Sequence, residues 1–198
     1  MELKQIIFNS FPRSGNVYLA AISSQLFLAM RETTVITVVH MPEVYSADEI
    51  INVAIFRKPE DCISSIIYKN TEGDIDNEAI ELTALKECNQ YKKYIKYAKA
   101  SHEKIYIAKF DEIIEDSLTH LVNISKIFDS PFTENYEEKF NSINRSGKMW
   151  TDKYHGHYPR EKDDNRKNIE NVVGSLDFVK EINKEYEDFI LKYKTAIR

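Results

Sequence analysis

The stretch from Ile6 to Tyr18 confines the start of this 198-residue chain to one kind of local structure. The apolar run Ile6-Ile7-Phe8 reads as a short buried strand. It leads into Asn9-Ser10-Phe11-Pro12-Arg13-Ser14-Gly15-Asn16-Val17-Tyr18, and a helix-like pattern follows at Val17, Leu19 to Ile22, Leu26 and Phe27. A glycine-containing loop that opens a helix points several backbone N–H groups at one spot, and the positive end of the helix dipole adds to their field. Arg13 puts a fixed positive charge in the same loop, and Ser14 and Asn16 add short polar side chains. The segment reads as a phosphate cradle. It is not the common P-loop, which needs glycine, four residues and then Gly-Lys-Ser/Thr. Here the basic residue precedes the one glycine, and no lysine follows it. A tight turn shaped by Pro12 and Gly15 is the simpler alternative.

Two later segments favour the cradle. Val35-Ile36-Thr37-Val38-Val39 is a β-branched run that ends in His40-Met41-Pro42. Ile51 to Phe56 is a second apolar run, ending in Arg57. A helix follows it, with Pro59 suited to the first turn and Glu60 and Asp61 favourable near the N-terminus. Three strand ends therefore carry a loop, a histidine and an arginine. In open α/β sheets ligands bind at that edge. Taken alone, Arg57 reads as an ion-pair partner of Asp61 or Glu60, and a histidine ending a strand is often a plain polar edge residue.

These segments together resemble the sulfotransferase family, which moves a sulfuryl group from 3′-phosphoadenosine 5′-phosphosulfate (PAPS) to an acceptor. Phe11-Pro12-Arg13-Ser14-Gly15-Asn16-Val17-Tyr18 is similar to the family's 5′-phosphosulfate loop. His40-Met41-Pro42 looks like its His-Leu-Pro segment, whose histidine is the catalytic base. Arg57 and Ser65 match the spacing of its 3′-phosphate-binding arginine and serine. Lys109-Phe110-Asp111-Glu112-Ile113 resembles its Tyr-Glu-Asp-Leu segment, which closes the nucleotide pocket. Arg145-Ser146-Gly147, with Trp150, is similar to a late element that clamps the 3′-phosphate; Arg160 is the other residue placed for that clamp. The resemblance runs from about residue 4 to residue 150, in the family's order.

The resemblance implies a short sulfotransferase, one domain over residues 1–198. The implied fold is three-layer α/β/α, with a mainly parallel central sheet and a P-loop-like phosphate loop. Arg13 and His40 would be catalytic. Arg13, Ser14, Gly15, Asn16, Val17, Tyr18, Arg57, Ser65, Phe110, Arg145 and Gly147 would bind the nucleotide, although Phe110 by itself reads as a core residue rather than an adenine contact. PAPS would be the donor and 3′-phosphoadenosine 5′-phosphate (PAP) the product, with no metal, and the acceptor would be a small molecule or glycan offering a hydroxyl or amine. The chain also departs from the family's pattern. Val17 stands where a hydroxyl is common, Tyr18 where a tryptophan flanks the adenine, and Val38 where a lysine is common. Only twenty-six residues separate Arg13 from His40, a short span for building an acceptor pocket. A small-molecule or nucleoside kinase with an atypical loop is one rival; it would need Mg²⁺ and a lysine at the β/γ-phosphates. A non-catalytic nucleotide-binding relative is the other.

Composition fits a single domain. The net charge is −5 and the pI about 5.6, which argues against nucleic acid as a partner. Cys62 and Cys88 are the only cysteines and read as reduced, packed or surface thiols. His155 and His157 lack a neighbouring third metal ligand. No run approaches eighteen apolar residues and no signal segment opens the chain, so a soluble cytoplasmic protein without membrane partners is expected. Strands are expected at 4–10, 34–39, 51–56 and 104–109, and helices at 17–31, 59–70, 77–100, 116–128, 133–142 and 175–195. Strands alternating with helices imply a parallel sheet covered on both faces. The polar run 144–172 reads as a long functional or mobile connector.

Overall fold

The computed structural model describes residues 4–13, 34–40, 42, 50–71, 75–127, 135, 137–138, 141–142 and 164–194. The expected helix at 17–31, half of that at 133–142, and the His155 and His157 pair lie outside the described residues. Among the described residues there are four strands: β1 (Lys4–Asn9), β2 (Thr34–Val39), β3 (Ile50–Phe56) and β4 (Ile105–Lys109). They form one sheet in the order β2-β1-β3-β4, and every pairing is parallel. β1 pairs with β2 along its whole length, Asn9 opposite Val39. It pairs with β3 so that Phe8 lies opposite Val53, and β3 sets Phe56 opposite Lys109 of β4. All four carboxyl ends therefore point to one edge. The chain goes from β1 to β2 on one side and returns to β3 on the other, so the order reverses between β1 and β3.

Val53, Ala54, Ile55 and Phe56 are all fully buried. Successive strand residues face opposite sides, so β3 is covered on both faces. One face carries α1 (Pro59–Thr71), α2 (Asn77–Ala100), α5 (Asp164–Ser175) and α6 (Asp177–Tyr193), which pack on Ala54, Phe56, Ile105 and Ile107. Between them come the short α3 (Phe110–Glu115), directly after β4, and α4 (Ser117–Ile127). The Tyr106 hydroxyl and His120 Nδ1 of α4 are 2.8 Å apart, which holds α4 against the face opposite Ile105 and Ile107.

Each helix follows from its sequence. Asp76 caps α2 by accepting from the Ala79 N–H at 2.8 Å. The buried stripe Ile80, Ala84, Cys88, Tyr91, Ile95 and Ala98 then repeats at helical spacing along 24 residues. Pro59 occupies the first position of α1, where its missing N–H costs nothing. Both cysteines are buried thiols outside any disulfide, and burial pushes the Cys88 thiol up to about 11.

Two expectations are corrected. Residues 164–172 of the polar run belong to α5, a helix whose only buried residues are Ile169 and Val173, one turn apart. So sparse an apolar stripe is easily read as a loop. The helix expected over 175–195 begins at Asp177, because Leu176 is extended and separates α5 from α6. Among the described residues, no helix is long and apolar enough to cross a membrane.

Candidate anion-binding site at the carboxyl edge of the sheet

The reversal of strand order between β1 and β3 opens a crevice at their carboxyl ends, the usual place for a ligand in an open parallel sheet. The residues that follow β1, β2 and β3 meet there. Ser10 leaves β1 fully buried, and its Oγ accepts the Ile55 N–H of β3 at 2.5 Å. That bond carries the β1–β3 offset of 45 residues one step past the end of β1. Phe11 is 1% exposed, with its ring centroid 4.8 Å from Tyr91 and 5.6 Å from Tyr94 of α2. The first aromatic residue of the loop is thus a core anchor that fixes where the loop starts.

Two residues later Arg13 adopts a left-handed backbone, with φ 68°. For a residue with a Cβ this costs roughly 1–2 kcal/mol, and glycine would adopt it without strain. A non-glycine outlier of this kind is held by its surroundings, and such outliers concentrate at functional sites. Here the Arg13 Nε donates to the Ser65 Oγ of α1 at 2.9 Å. Ser65 is 7% exposed. Its hydroxyl accepts from Arg13 and retains its own proton for a second bond.

His40 follows β2 and is exposed. Its Nδ1 lies 2.8 Å from the Ser10 carbonyl oxygen. A carbonyl can only accept, so Nδ1 carries the proton, and the neutral ring keeps its lone pair on Nε2. The strand that supplies the arginine loop thereby also sets the tautomer of the histidine.

Arg57 follows β3. Its side chain is 24% exposed, and its Nε stands 3.5 Å from Asp61 Oδ2 without forming a hydrogen bond. The guanidinium lies over the Phe110 ring, 5.0 Å from the centroid. Phe110 is half-buried and outside the core cluster, which corrects its reading as a core residue. Its ring is a cation–π partner for the guanidinium. The Arg57 carbonyl accepts from the Tyr91 hydroxyl at 2.6 Å. Glu60, the other partner considered for Arg57, pairs with Lys58 at 2.6 Å instead.

The N-terminus of α1 is not open to a ligand through its first amides. The Glu60 N–H donates to Asn183 Oδ1 of α6, and the Asn183 amide donates back to Glu60 Oε2. The Asp61 and Cys62 N–H groups both donate to the Lys58 carbonyl. Positive character at this end of the crevice comes from the Arg57 side chain.

The structure thus brings Arg13 into contact with Ser65, Arg57 with Phe110, and His40 with the loop that carries Arg13. Ser14, Gly15, Asn16, Val17, Tyr18, Arg145, Arg160 and Gly147 lie outside the described residues. Sequence reasoning offered Asp61 as an ion-pair partner of Arg57, and the two lie 3.5 Å apart; it missed Ser10 and Tyr91. Only the register of β1 on β3 reveals Ser10, and only the packing of α2 reveals Tyr91. Among the described residues, no group of three or more His, Cys, Asp or Glu side chains could hold a metal ion. No protein-family model matches the chain, and no curated protein matches it.

Proposed function

We propose that the chain is a PAPS-dependent sulfotransferase of three-layer α/β/α architecture with a P-loop-like loop, working in the cytoplasm on a small-molecule or glycan acceptor. The observation that carries this reading is the joining of Arg13 to Ser65 beside a histidine whose Nδ1 is tied to Ser10 of the same loop. A basic group that can meet a leaving phosphate and a ring nitrogen free to take a proton are thereby set at one crevice edge.

In the proposed reaction the acceptor hydroxyl or amine gives its proton to His40 Nε2 while its oxygen or nitrogen attacks the sulfur of PAPS. The bond from sulfur to the 5′-phosphate oxygen breaks. Its electron pair stays on that oxygen, and PAP leaves. Arg13 and the loop N–H groups stabilise the charge that builds on the phosphate. Arginine stays protonated, so Arg13 acts through its charge and does not serve as an acid. Arg57, held over Phe110, and the remaining proton of Ser65 bind the 3′-phosphate, the group that distinguishes this donor from ATP. The proposed steps call for no metal ion.

The test is the release of PAP from PAPS across a panel of phenols, sugars and amines, with and without divalent metal. Acceptor-dependent release that survives chelation supports the reading. Phosphate transfer from ATP that requires Mg²⁺ would support a kinase instead, and PAP binding without release from PAPS a non-catalytic relative.

A further inference from the structure

We propose that Tyr91 is the positioning residue that aims Arg57 into the crevice, an inference that rests on the nucleotide-binding reading above. Tyr91 lies in the middle of α2 and is fully buried. Burial, before any neighbouring charge, holds its phenol well above its ordinary range, so it stays a hydrogen-bond donor at every physiological pH. Its hydroxyl donates to the Arg57 carbonyl at 2.6 Å, a short bond across 34 residues of chain.

The place of that carbonyl gives the bond its consequence. Phe56 ends β3, and Arg57 is the first residue beyond the ladder. Sheet pairing no longer fixes the backbone there. The Asp61 and Cys62 N–H groups that open α1 turn to Lys58 O and leave the Arg57 carbonyl to Tyr91, with a weak second contact from Cys62 Sγ at 3.9 Å. Tyr91 therefore fixes the peptide from which the Arg57 side chain departs. Asp61 and Phe110 hold the far end of that side chain, at 3.5 Å and 5.0 Å. With its root fixed and its far end in contact with Asp61 and Phe110, the guanidinium meets a phosphate with less freedom left to lose.

The ring of Tyr91 does a separate job. It packs on Phe11 of the loop, on Phe56 and on Tyr186, with centroids 4.8, 6.2 and 6.5 Å away. Tyr91→Phe keeps those contacts and removes only the donor. The two jobs can thus be parted by one atom.

The experiment compares wild type, Tyr91→Phe and Arg57→Ala by calorimetry with PAP and with AMP, which lacks the 3′-phosphate. In parallel, solvent exchange of the Arg57 Nε–H is followed by NMR in the free protein. Tyr91→Phe is expected to weaken PAP by roughly three- to tenfold, the effect of one neutral hydrogen bond, and to leave AMP unchanged. Exchange at Arg57 Nε–H should quicken while that of Arg166 does not. Equal losses for PAP and AMP, or unaltered exchange at Arg57, would overturn the inference and leave Tyr91 a packing residue. If wild type itself fails to prefer PAP, the nucleotide reading falls, and the exchange data alone decide the role of Tyr91. Should Tyr91→Phe not fold, the wild-type Tyr91 hydroxyl proton decides. A slowly exchanging signal coupled to the Arg57 carbonyl supports the proposal, and a freely exchanging one ends it.

Discussion

Arg13 Nε lies 2.9 Å from Ser65 Oγ, a bond between residues 52 positions apart that ties the loop after β1 to the middle of α1. The arginine is the left-handed residue of that loop, and the serine is nearly buried. Each constrains the other. Arg13 is held in a strained backbone with its side chain fixed, and Ser65 has one acceptor position already filled.

Ser65→Ala removes that partner with almost no change in volume. Hydrogen bonds to charged groups contribute about 1.5–3 kcal/mol, and part of this is expected to appear as a roughly tenfold weaker affinity for PAP. AMP should weaken as well, by less, because Arg13 is proposed to serve the 5′ side. Titration of both ligands checks this; an AMP affinity identical to wild type would mean that Ser65 does not act through Arg13.

The strain at Arg13 can be separated from its charge. Arg13→Gly and Arg13→Ala both lose the bond to Ser65, but only alanine keeps the left-handed penalty. Urea unfolding should find the glycine variant about 1 kcal/mol more stable than the alanine variant. Equal stabilities would mean that the φ of 68° carries no strain.

His40 is exposed and bonded through Nδ1 alone to the Ser10 carbonyl. His40→Ala is expected to lower sulfuryl transfer by about 10²–10⁴, with donor affinity nearly unchanged. A fully active variant in steady-state assays would remove His40 from the mechanism.

His120 offers a pH test away from the crevice. Its Nε2 is buried without a hydrogen-bond partner, and burial lowers its pKa below the ordinary 6.5. Glu112 and Asp116 oppose that shift and Lys194 adds to it. Because the folded-state value is depressed, the unfolded chain takes up the proton first. The stability contribution is whole above about pH 6.5 and is lost as pH falls through the lower folded-state value. Urea midpoints between pH 7.5 and pH 5 should fall in wild type and fall less in His120→Asn. Parallel profiles would contradict this.

Much of the fold was legible because it depends on local pattern. The strand runs before Asn9, His40 and Arg57 are short apolar or β-branched segments, and the helix over 77–100 follows from apolar residues at a period of about 3.6, although Leu82 and Leu85, read into its apolar stripe, are exposed. They placed β2 and α2 at their observed limits. α5 was not legible, since Ile169 and Val173 alone are too few to mark a face. Nor was the short α3, which no expected helix covered, whereas α4 falls within the helix expected at 116–128. In the site, strand ends exposed Arg13, His40 and Arg57, because position along a parallel strand is itself information. The contacts of Ser10 and Tyr91 were hidden. They depend on the register of β1 against β3 and on α2 packing under the loop, and both are relations between distant residues.

The central claim is that the crevice between β1 and β3 recognises a nucleotide carrying both a 5′- and a 3′-phosphate. Calorimetric titration of the protein with PAP and with AMP measures this most directly. A charge-assisted contact from Arg57 is worth roughly 1.5–3 kcal/mol, so PAP should bind about ten- to a hundredfold more tightly than AMP. Arg57→Ala should abolish most of that difference while the fold remains intact. Equal affinities for the two nucleotides, or no binding of either, would contradict the account.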